Sequence, residues 1–392
     1  MAADRLHVLM VLESHYPSPG GGGAEAQVRT LARGLRMRGH RVTVLTPMGR
    51  GAPGAAIARV DRTPVCRLRY PHVPLLGSVV LWSKLAVFLW QRRRRYDAWH
   101  VHIAHFMGAV ACIVGRWARR PVILKVSGWW ELERGVLAND ASAARRIAFR
   151  CLLKASAWQA ISSRIGRALA SKGVPAEAIH AIPNAVETER FRRLQRTPSP
   201  HPRFLFIGRL VPEKELPILL RAFAGVLQDR PDARLRVVGT GPLAIPLREL
   251  AHSLGIAPNV EFAGHRDDIE TQLANADIGV LPSRIEGLSN TLLECLAAGL
   301  PMIATRISGS EDMVRTGDNG WLCEPGDQAG LATCLRDAAR LAPERRVAMG
   351  ARARESVAAQ AGLETVLGRL LRLYREGAVA APAAIPVSGG RR

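Results

Sequence analysis

The feature that most constrains the fold is an order of short apolar segments, glycine-containing loops and helix-like segments that occurs twice along the chain. Residues 6–12 form an apolar run that predicts a buried strand, and a loop ending in Gly22 and Gly23 follows it. A helix is predicted from Ala24, and a strand over residues 41–46. This order is typical of a parallel α/β unit. Further strands are predicted at 98–101, 122–126, 157–161 and 180–182.

The same order begins again after residues 196–202, whose proline and serine content predicts a linker. The strands predicted there are 204–207, 235–238, 259–262, 278–281 and 302–304, with helices at 216–227 and 341–376. We therefore predict an α/β protein with two Rossmann-like, doubly wound parallel-sheet domains that face a central cleft. The predicted domains are residues 1–197 and 198–365, followed by a helix end at 366–376 that packs back on the first domain and a mobile tail at 377–392.

Positive charge is concentrated in the first half of the chain. Residues 1–199 carry 32 Lys and Arg against 11 Asp and Glu, whereas residues 200–392 carry 23 against 22. A basic domain predicts an anionic partner, which is a nucleic acid, an acidic membrane surface or a phosphorylated substrate. Specific nucleic-acid binding is disfavoured, because aromatic residues make up only 5% of the chain and do not alternate with the basic runs.

Residues 73–90 form the longest apolar stretch, but Lys84 interrupts it, so a membrane-spanning helix is not predicted. Trp82 and Trp90, followed by four arginines at 92–95, instead predict docking on an anionic membrane. A buried helix followed by a solvated arginine run is the alternative. The six cysteines show neither CxxC nor zinc-site spacing, which predicts reduced thiols. We therefore expect a cytoplasmic protein, peripheral at the inner face of the membrane.

The most informative motif is SRIEGLSNTLLECLAAG at residues 283–299, in which Glu286 precedes a helix start and Glu294 follows it. Ser289 or Asn290 is a suitable N-cap, and the free backbone N–H groups of a helix start favour an anion. Glu294, about one turn into the helix, is placed to accept hydrogen bonds from vicinal hydroxyl groups. For an isolated motif of this kind, a solvent-facing pair of glutamates is the alternative.

Two cations accompany this motif. Arg209 and Lys214 follow the strand at 204–207 and Gly208, so they lie at the carboxyl end of a strand, where two positive charges suit a diphosphate. Ordinary exposed loop charges are the alternative. The four glycines at 20–23 are a third candidate anion site, although they match neither a dinucleotide-binding fingerprint nor a P-loop.

Taken in order, these segments resemble the family 4 glycosyltransferases, which have the GT-B fold. The resemblance spans residues 6–375 and includes GGGAEAQVRTLARGLRMRGHRVTVLTP, IPNAVETERF, FIGRLVPEKE, VVGTGP, VEFAGH and EGLSNTLLECLAAGLPMIAT. It implies a retaining enzyme that moves a sugar from a nucleoside-diphosphate sugar to a saccharide or lipid-linked acceptor, in cell-surface polysaccharide or glycolipid biosynthesis. No cofactor and no metal ion are expected, which agrees with the lack of an Asp-x-Asp pair in the sequence.

The resemblance also implies roles for individual residues. Arg209 and Lys214 hold the diphosphate, Glu286 contacts the transferred sugar, and these three are the implied catalytic residues. Glu294 binds the ribose. The other residues implied to bind the donor are Gly22, Gly23, Gly208, Gly264, His265, Gly287, Leu288, Ser289, Asn290 and Thr291.

Three positions depart from the family's pattern, and one of them, Cys295 in place of a frequent alanine, is interpreted as core packing. Ser127-Gly128 stands where many relatives have His-Gly, so Ser127, His102 and His105 are candidate acceptor contacts, with histidines that only pack or face solvent as the alternative. Glu215 replaces the glycine that usually follows the lysine, and we expect a different turn there, because glutamate adopts positive φ less readily than glycine. A sugar-nucleotide epimerase of the same fold and a basic nucleic-acid-binding protein are the alternatives to a transferase.

Overall fold

The computed structural model describes residues 5–17, 22–49, 54–139, 142–197 and 199–379. The chain divides into two compact units. Unit 1 consists of Met1–Gln159, Ala170–His180 and Leu367–Arg392, and unit 2 of Ala160–Leu169 and Ala181–Val366. The boundary predicted at 197/198 thus lies C-terminal to the division at 180/181. Residues 181–197 belong to unit 2, because their helix packs against another helix of that unit.

Unit 1 is built on an eight-stranded sheet with the order β3-β4-β2-β1-β5-β6-β7-β8. Its strands are β1 His7–Val11, β2 Arg41–Gly49, β3 Ile57–Val60, β4 Thr63–Tyr70, β5 Ala98–Val101, β6 Val122–Val126, β7 Ala157–Ala160 and β8 Ile179–Ala181. Strand β1 pairs in parallel with β2 and β5, and β3 pairs antiparallel with β4. All six predicted strands are present. The β3–β4 hairpin was not predicted, because its exposed and arginine-containing positions interrupt any apolar run.

The helices of the chain up to residue 171 are α1 Gly23–Met37, α2 Leu76–Gln91, α3 Phe106–Ala118, α4 Trp130–Glu133, α5 Ala143–Leu152 and α6 Ser163–Ser171. Helix α1 buries Val28, Leu31 and Leu35, whose spacing predicts one apolar face. The strands β5 and β6 are buried along their whole length, as central parallel strands covered on both faces are. In the described part of the chain, no helix combines the length and apolar character needed to cross a bilayer.

Unit 2 contains a six-stranded sheet with the order β11-β10-β9-β12-β13-β14, in which the paired strands run parallel. Its strands are β9 Arg203–Ile207, β10 Arg234–Val238, β11 Val260–Gly264, β12 Ile278–Leu281, β13 Met302–Thr305 and β14 Gly320–Cys323. The five predicted strands are present, and β14 is an additional one. Because the strand order reverses between β9 and β12, ligands are expected at the carboxyl ends of these two strands.

The later helices are α7 Thr188–Arg192, α8 Leu216–Val226, α9 Ala244–Ser253, α10 Ile269–Ala274, α11 Asn290–Ala297, α12 Ser310–Met313, α13 Gln328–Arg340, α14 Pro343–Ala361 and α15 Leu363–Val379. The segment predicted as one helix at 341–376 is thus two. From Leu367 onwards, α15 belongs to unit 1, where the Tyr374 hydroxyl lies 2.8 Å from His100 Nδ1. Helix α15 continues to Val379, within the predicted tail, and residues 380–392 lie outside the described residues.

Candidate functional site

In unit 2, the candidate donor residues follow the two strands at which the strand order reverses. Gly208, Arg209 and Lys214 follow β9, and Glu286 lies in the loop after β12. Since β9 and β12 are paired neighbours, their carboxyl ends meet at one place on the sheet edge. The structure therefore brings the two halves of the predicted donor site together within one unit.

The loop that carries Arg209 is held by a close backbone approach to the segment after β10. The Gly208 N–H donates to Val238 O at 3.0 Å. Gly239 has a φ of +134°, and a Cβ atom at this position would lie 1.9 Å from Gly208 O. Only glycine fits there, so the segment VVGTGP sets the position of the loop that exposes Arg209. The sequence prediction used this segment only as support for the family.

Lys214 and Glu286 are in direct contact, with an ion pair between Nζ and Oε1. The Ser283 hydroxyl donates to the same carboxylate oxygen at 3.1 Å. The two charged side chains are only 15% and 17% exposed, so their attraction is screened less than at an open surface. The cation implied for the diphosphate and the carboxylate implied for the sugar therefore lie side by side.

The loop between Glu286 and α11 is fixed by side chains from elsewhere in unit 2. Ser308 Oγ donates to Gly287 O at 3.0 Å, and Asn184 Nδ2 donates to Leu288 O at 2.9 Å. The sequence prediction assigned neither Ser308 nor Asn184 a role. The sequence offered one indication for Asn184, which is that it lies in IPNAVETERF, one of the segments that carry the resemblance to the family.

Helix α11 begins directly after this loop. Ser289 is its N-cap, one of the two predicted alternatives, and the Leu292 N–H donates to its hydroxyl at 3.4 Å. Asn290 and Thr291 form the first turn and Glu294 lies in the second. Burial raises the pKa of Glu294 to about 7, against the opposing charge of Arg190. A carboxylate that is withdrawn from water is stabilised when hydroxyl groups donate hydrogen bonds to it, which suits the implied contact with a ribose.

The turn after Lys214 keeps a left-handed residue although a glutamate stands there. Glu215 has a φ of +49°, so our expectation of a different turn is wrong. Its carboxylate is buried and accepts a hydrogen bond from Arg284 Nε at 2.6 Å. Because the Arg284 side chain is 63% exposed, this ion pair offsets only part of the cost of the left-handed conformation, which is about 1–2 kcal/mol for an L-residue.

The donor-binding candidates Gly264 and His265, which the resemblance places near the base, lie at the carboxyl end of β11. Gly264 ends this strand with a φ of +71°, and its carbonyl oxygen accepts the Gly239 N–H at 2.7 Å. His265 is exposed and its Nε2 lies 3.2 Å from Asp267 Oδ1. Gly264 therefore adjoins the same glycine that positions the Arg209 loop, on the far side of β10.

In unit 1, the candidate residues lie at the carboxyl ends of β1, β5 and β6, which are neighbours in the sheet. Gly22 is the N-cap of α1, and its N–H donates to Glu25 Oε2 at 3.1 Å. Ser14 Oγ donates to the other oxygen of Glu25 at 3.0 Å, and Gly23 is the first residue of the helix. The remaining glycines of the predicted anion site, at 20 and 21, lie outside the described residues.

The three candidate acceptor residues differ in exposure. His105 is partly exposed, and its Nδ1 lies 2.9 Å from Glu13 Oε1. Ser127 is also partly exposed, and its hydroxyl donates to the carbonyl oxygen of His102. The His102 side chain is fully buried, and neither ring nitrogen has a hydrogen-bond partner among the described residues. The structure therefore removes His102 from the acceptor contacts, because its ring has no surface to offer a ligand.

Glu131 organises this edge of unit 1, and no sequence signal pointed to it. Its carboxylate accepts the backbone N–H groups of Ala104 at 2.7 Å, Ser127 at 2.6 Å and Gly128 at 2.9 Å. Burial raises the pKa of Glu131 to about 7, although the three hydrogen bonds favour the ionised form. Glu131 is therefore a positioning residue that ties the loop after β5 to the loop after β6.

Two family models match the chain. Residues 21–190 match Glycosyltransferase Family 4, and residues 201–340 match Glycosyl transferases group 1. N-acetyl-alpha-D-glucosaminyl L-malate synthase of Bacillus anthracis is 27% identical over 92% of this chain and 94% of its own. The GDP-mannose-dependent alpha-(1-6)-phosphatidylinositol monomannoside mannosyltransferase of Mycobacterium tuberculosis is also 27% identical, over 94% of this chain and 98% of its own.

Solved structures share the fold. A glycosyltransferase from Rickettsia africae has a TM-score of 0.79 at 18% identity, over 96% of this chain and 99% of its own. Anabaena HepE in complex with UDP has a TM-score of 0.73 at 21% identity, and the match covers 95% of this chain and 100% of the HepE chain. The two parallel-sheet units define the GT-B class, as predicted. The chain belongs to the family 4 glycosyltransferases.

Proposed function

We propose that the protein transfers a sugar from a nucleoside-diphosphate sugar to a hydroxyl of a saccharide or lipid-linked acceptor, with retention of anomeric configuration. The observation that carries this proposal is the contact between Lys214 and Glu286 directly before the N-terminus of α11. It combines a cation for the diphosphate, a carboxylate for the sugar and the positive end of a helix dipole. Relatives named for phosphatidylinositol monomannoside and for lipopolysaccharide core biosynthesis support a role in cell-surface glycolipid or polysaccharide biosynthesis.

The proposed reaction depends on neutralising the leaving group. As the bond between the anomeric carbon and a diphosphate oxygen breaks, negative charge develops on the diphosphate and positive charge on the sugar. Arg209, Lys214 and the first N–H groups of α11 stabilise that negative charge, so the proposed mechanism uses no metal ion or cofactor. A diphosphate oxygen takes the proton of the acceptor hydroxyl. The acceptor oxygen then bonds to the anomeric carbon on the face that the diphosphate leaves, which retains the configuration.

The remaining proposed contacts lie at the carboxyl edges of the two sheets. Glu294 accepts hydrogen bonds from the ribose hydroxyls, supported by its withdrawal from water. The loop anchored by Asn184 presents its backbone to the sugar and phosphate. The other proposed contacts are those of the base with Gly264 and His265, of the donor phosphate with Gly22 and Gly23, and of the acceptor with Ser127 and His105.

Single alanine substitutions at Arg209 and Lys214 test this proposal. We expect each to lower kcat by about 10²–10³, the usual effect of removing one group that stabilises transition-state charge. Arg352→Ala is the matched control, because this arginine is exposed and pairs with Asp318 on the surface of the same unit. Near-normal turnover in both variants would exclude the proposed roles. Nucleoside diphosphate release is measured with and without acceptor, and donor isomerised without any acceptor would instead indicate an epimerase.

We also propose that α2 of unit 1 docks on an anionic membrane. The support is a stripe of exposed apolar side chains at helical spacing, Leu76, Val79, Val87 and Trp90. Arg93 lies 4.2 Å from the centre of the Trp90 ring, within the four-arginine run. Trp82, which we expected at the same interface, is partly buried and packs against Phe106 instead, with ring centres 5.1 Å apart.

Vesicle sedimentation tests the docking proposal. We expect binding to vesicles that contain anionic lipid, weakened by added salt, because the arginines act through charge. The double variant V79S/W90A should bind several-fold more weakly. Trp117→Ala is the control, since Trp117 is 75% exposed on α3, outside the stripe. Binding that is insensitive to salt, or equal in the double variant, would contradict the proposal.

A further inference from the structure

Unit 1 contains a cavity of about 1060 Å³ at the amino ends of its strands, opposite to the edge that carries Ser127 and His105. Its wall includes His7 at the start of β1 and Arg41 at the start of β2. The end of α1, parts of β3 and β4, the end of α2 and the segment that follows α2 form the rest of the wall. A strand of five residues, such as β1, separates the two edges by roughly 13–17 Å. The cavity is therefore distinct from the candidate acceptor residues.

The wall of this cavity is strongly basic. The arginines that line it are Arg5, Arg36, Arg41, Arg67, Arg92 and Arg95, and the one carboxylate is Asp97. Arg36 and Arg67 donate to backbone carbonyl oxygens. Arg5, Arg41, Arg92 and Arg95 are exposed, and none of them forms an ion pair within the described ranges. Asp97 accepts the His7 backbone N–H at 2.7 Å, and its single negative charge stands against six arginines.

The two histidines in the wall experience this positive field. Burial lowers the pKa of His7, and the charges of Arg95 and Arg41 lower it further. Burial also lowers the pKa of His40, together with nearby arginines that include Arg5. The His7 ring is held by Thr43 Oγ1, which lies 3.0 Å from its Nε2. The imidazoles are thus mainly neutral at pH 7, and the positive charge of the wall comes from arginines that no physiological pH removes.

We propose that this cavity is a second ligand site, which binds an organic phosphate. Arginine forks bind phosphate oxygens bidentately, and several arginines surround one phosphate more readily than one carboxylate. The volume exceeds what a bare phosphate fills and matches sites for small organic ligands. Leu68, Phe88 and Tyr96 provide apolar wall for the rest of the ligand. The site is separate from the transfer reaction proposed above and does not depend on it.

The organic part has two possible sources, a soluble phosphate ester or a phospholipid headgroup. Helix α2 contributes Phe88 to the cavity wall and carries the apolar stripe proposed to meet a membrane. Both sources offer the same phosphate chemistry to Arg92 and Arg95. The experiment has an arm for each source.

The first measurement follows the His7 imidazole by NMR while inorganic phosphate is added. A bound anion opposes the charges of Arg41 and Arg95, so we expect phosphate to raise the pKa of His7 in a saturable way. In R41Q/R95Q, the pKa of His7 is already higher and phosphate no longer changes it. Arg116→Gln, an exposed substitution on α3 away from the cavity, should respond like the wild type. Sodium chloride at matched ionic strength controls for screening.

The second measurement identifies the source. Glycerol 3-phosphate and vesicles with or without phosphatidic acid are each tested for the same His7 response. A response to glycerol 3-phosphate alone indicates that the ligand is a soluble metabolite. A response to phosphatidic acid vesicles alone indicates that the ligand is a phospholipid headgroup. No saturable response to phosphate, an equal response in R41Q/R95Q, or an equal response to sodium chloride would overturn the proposal. Arg92→Gln gives an independent weakening of phosphate binding if the double variant does not fold. None of these readouts uses transferase activity.

Discussion

Replacing Gly239 by alanine tests whether the glycine-rich segment after β10 positions the Arg209 loop. A Cβ atom there would lie 1.9 Å from Gly208 O, and the φ of +134° costs an L-residue roughly 1–3 kcal/mol. The clash is relieved only if the loop moves and loses its backbone hydrogen bonds to Val238 O and Thr240 O, about 1 kcal/mol each. We therefore expect the free energy of unfolding to fall by about 3–5 kcal/mol.

Urea unfolding and steady-state kinetics measure the two consequences of Gly239→Ala. Displacement of Arg209 should raise the KM for the donor and lower kcat, by about tenfold or more in kcat/KM. Gly225→Ala is the matched control, because it lies in α8 of the same unit and nothing lies within 4 Å of the added Cβ. That substitution should raise the unfolding free energy by about 0.5–1 kcal/mol. Wild-type stability and kinetics in Gly239→Ala, or equal damage from Gly225→Ala, would refute the reasoning.

Further substitutions probe the carboxyl groups of Glu294, Glu131 and Glu215. Donor affinity should rise between about pH 6 and pH 8, as Glu294 with its pKa of about 7 loses its proton, and calorimetry on Glu294→Gln should show weaker, pH-independent binding. Glu131→Gln should lower the unfolding free energy by about 2–4 kcal/mol, because a single amide oxygen leaves backbone N–H groups unpaired, whereas the exposed Glu133→Gln should leave the Tm unchanged. Because folding raises the pKa of Glu131 from 4.5 to about 7, the folded state binds more protons than the unfolded state between pH 4.5 and pH 7. The contribution of Glu131 to the free energy of unfolding therefore falls as the pH rises through this range. This pH dependence should be absent in Glu131→Gln. In urea titrations, Glu215→Gly should change the free energy of unfolding by less than about 1 kcal/mol, because glycine adopts the left-handed conformation without strain and this offsets the lost ion pair with Arg284. Glu215→Ala loses the ion pair and keeps the strain, so it should lower the free energy of unfolding by about 1–2 kcal/mol.

Whatever depends on neighbours along the chain was determined by the sequence itself. The segment at 122–126, which is apolar except for Lys125, forms β6 as predicted, because burial on both faces of a parallel sheet selects apolar residues. Ser289 caps α11, since capping is a contact over a few residues. The two doubly wound units and the places of Arg209, Lys214 and Glu286 follow from the same local patterns.

Contacts between distant segments were decided by the tertiary structure alone. Asn184 donates a hydrogen bond to Leu288, which lies 104 positions later in the sequence. Glu131 can accept hydrogen bonds from the loops after β5 and β6 only because these strands end side by side. The φ of Glu215 is another case, because the arginine that pairs with its buried carboxylate comes from the loop after β12. Periodicity and spacing predict helices and strands. A hydrogen bond or a basic cavity forms where the tertiary structure brings together residues that are distant in sequence, and no local pattern encodes these contacts.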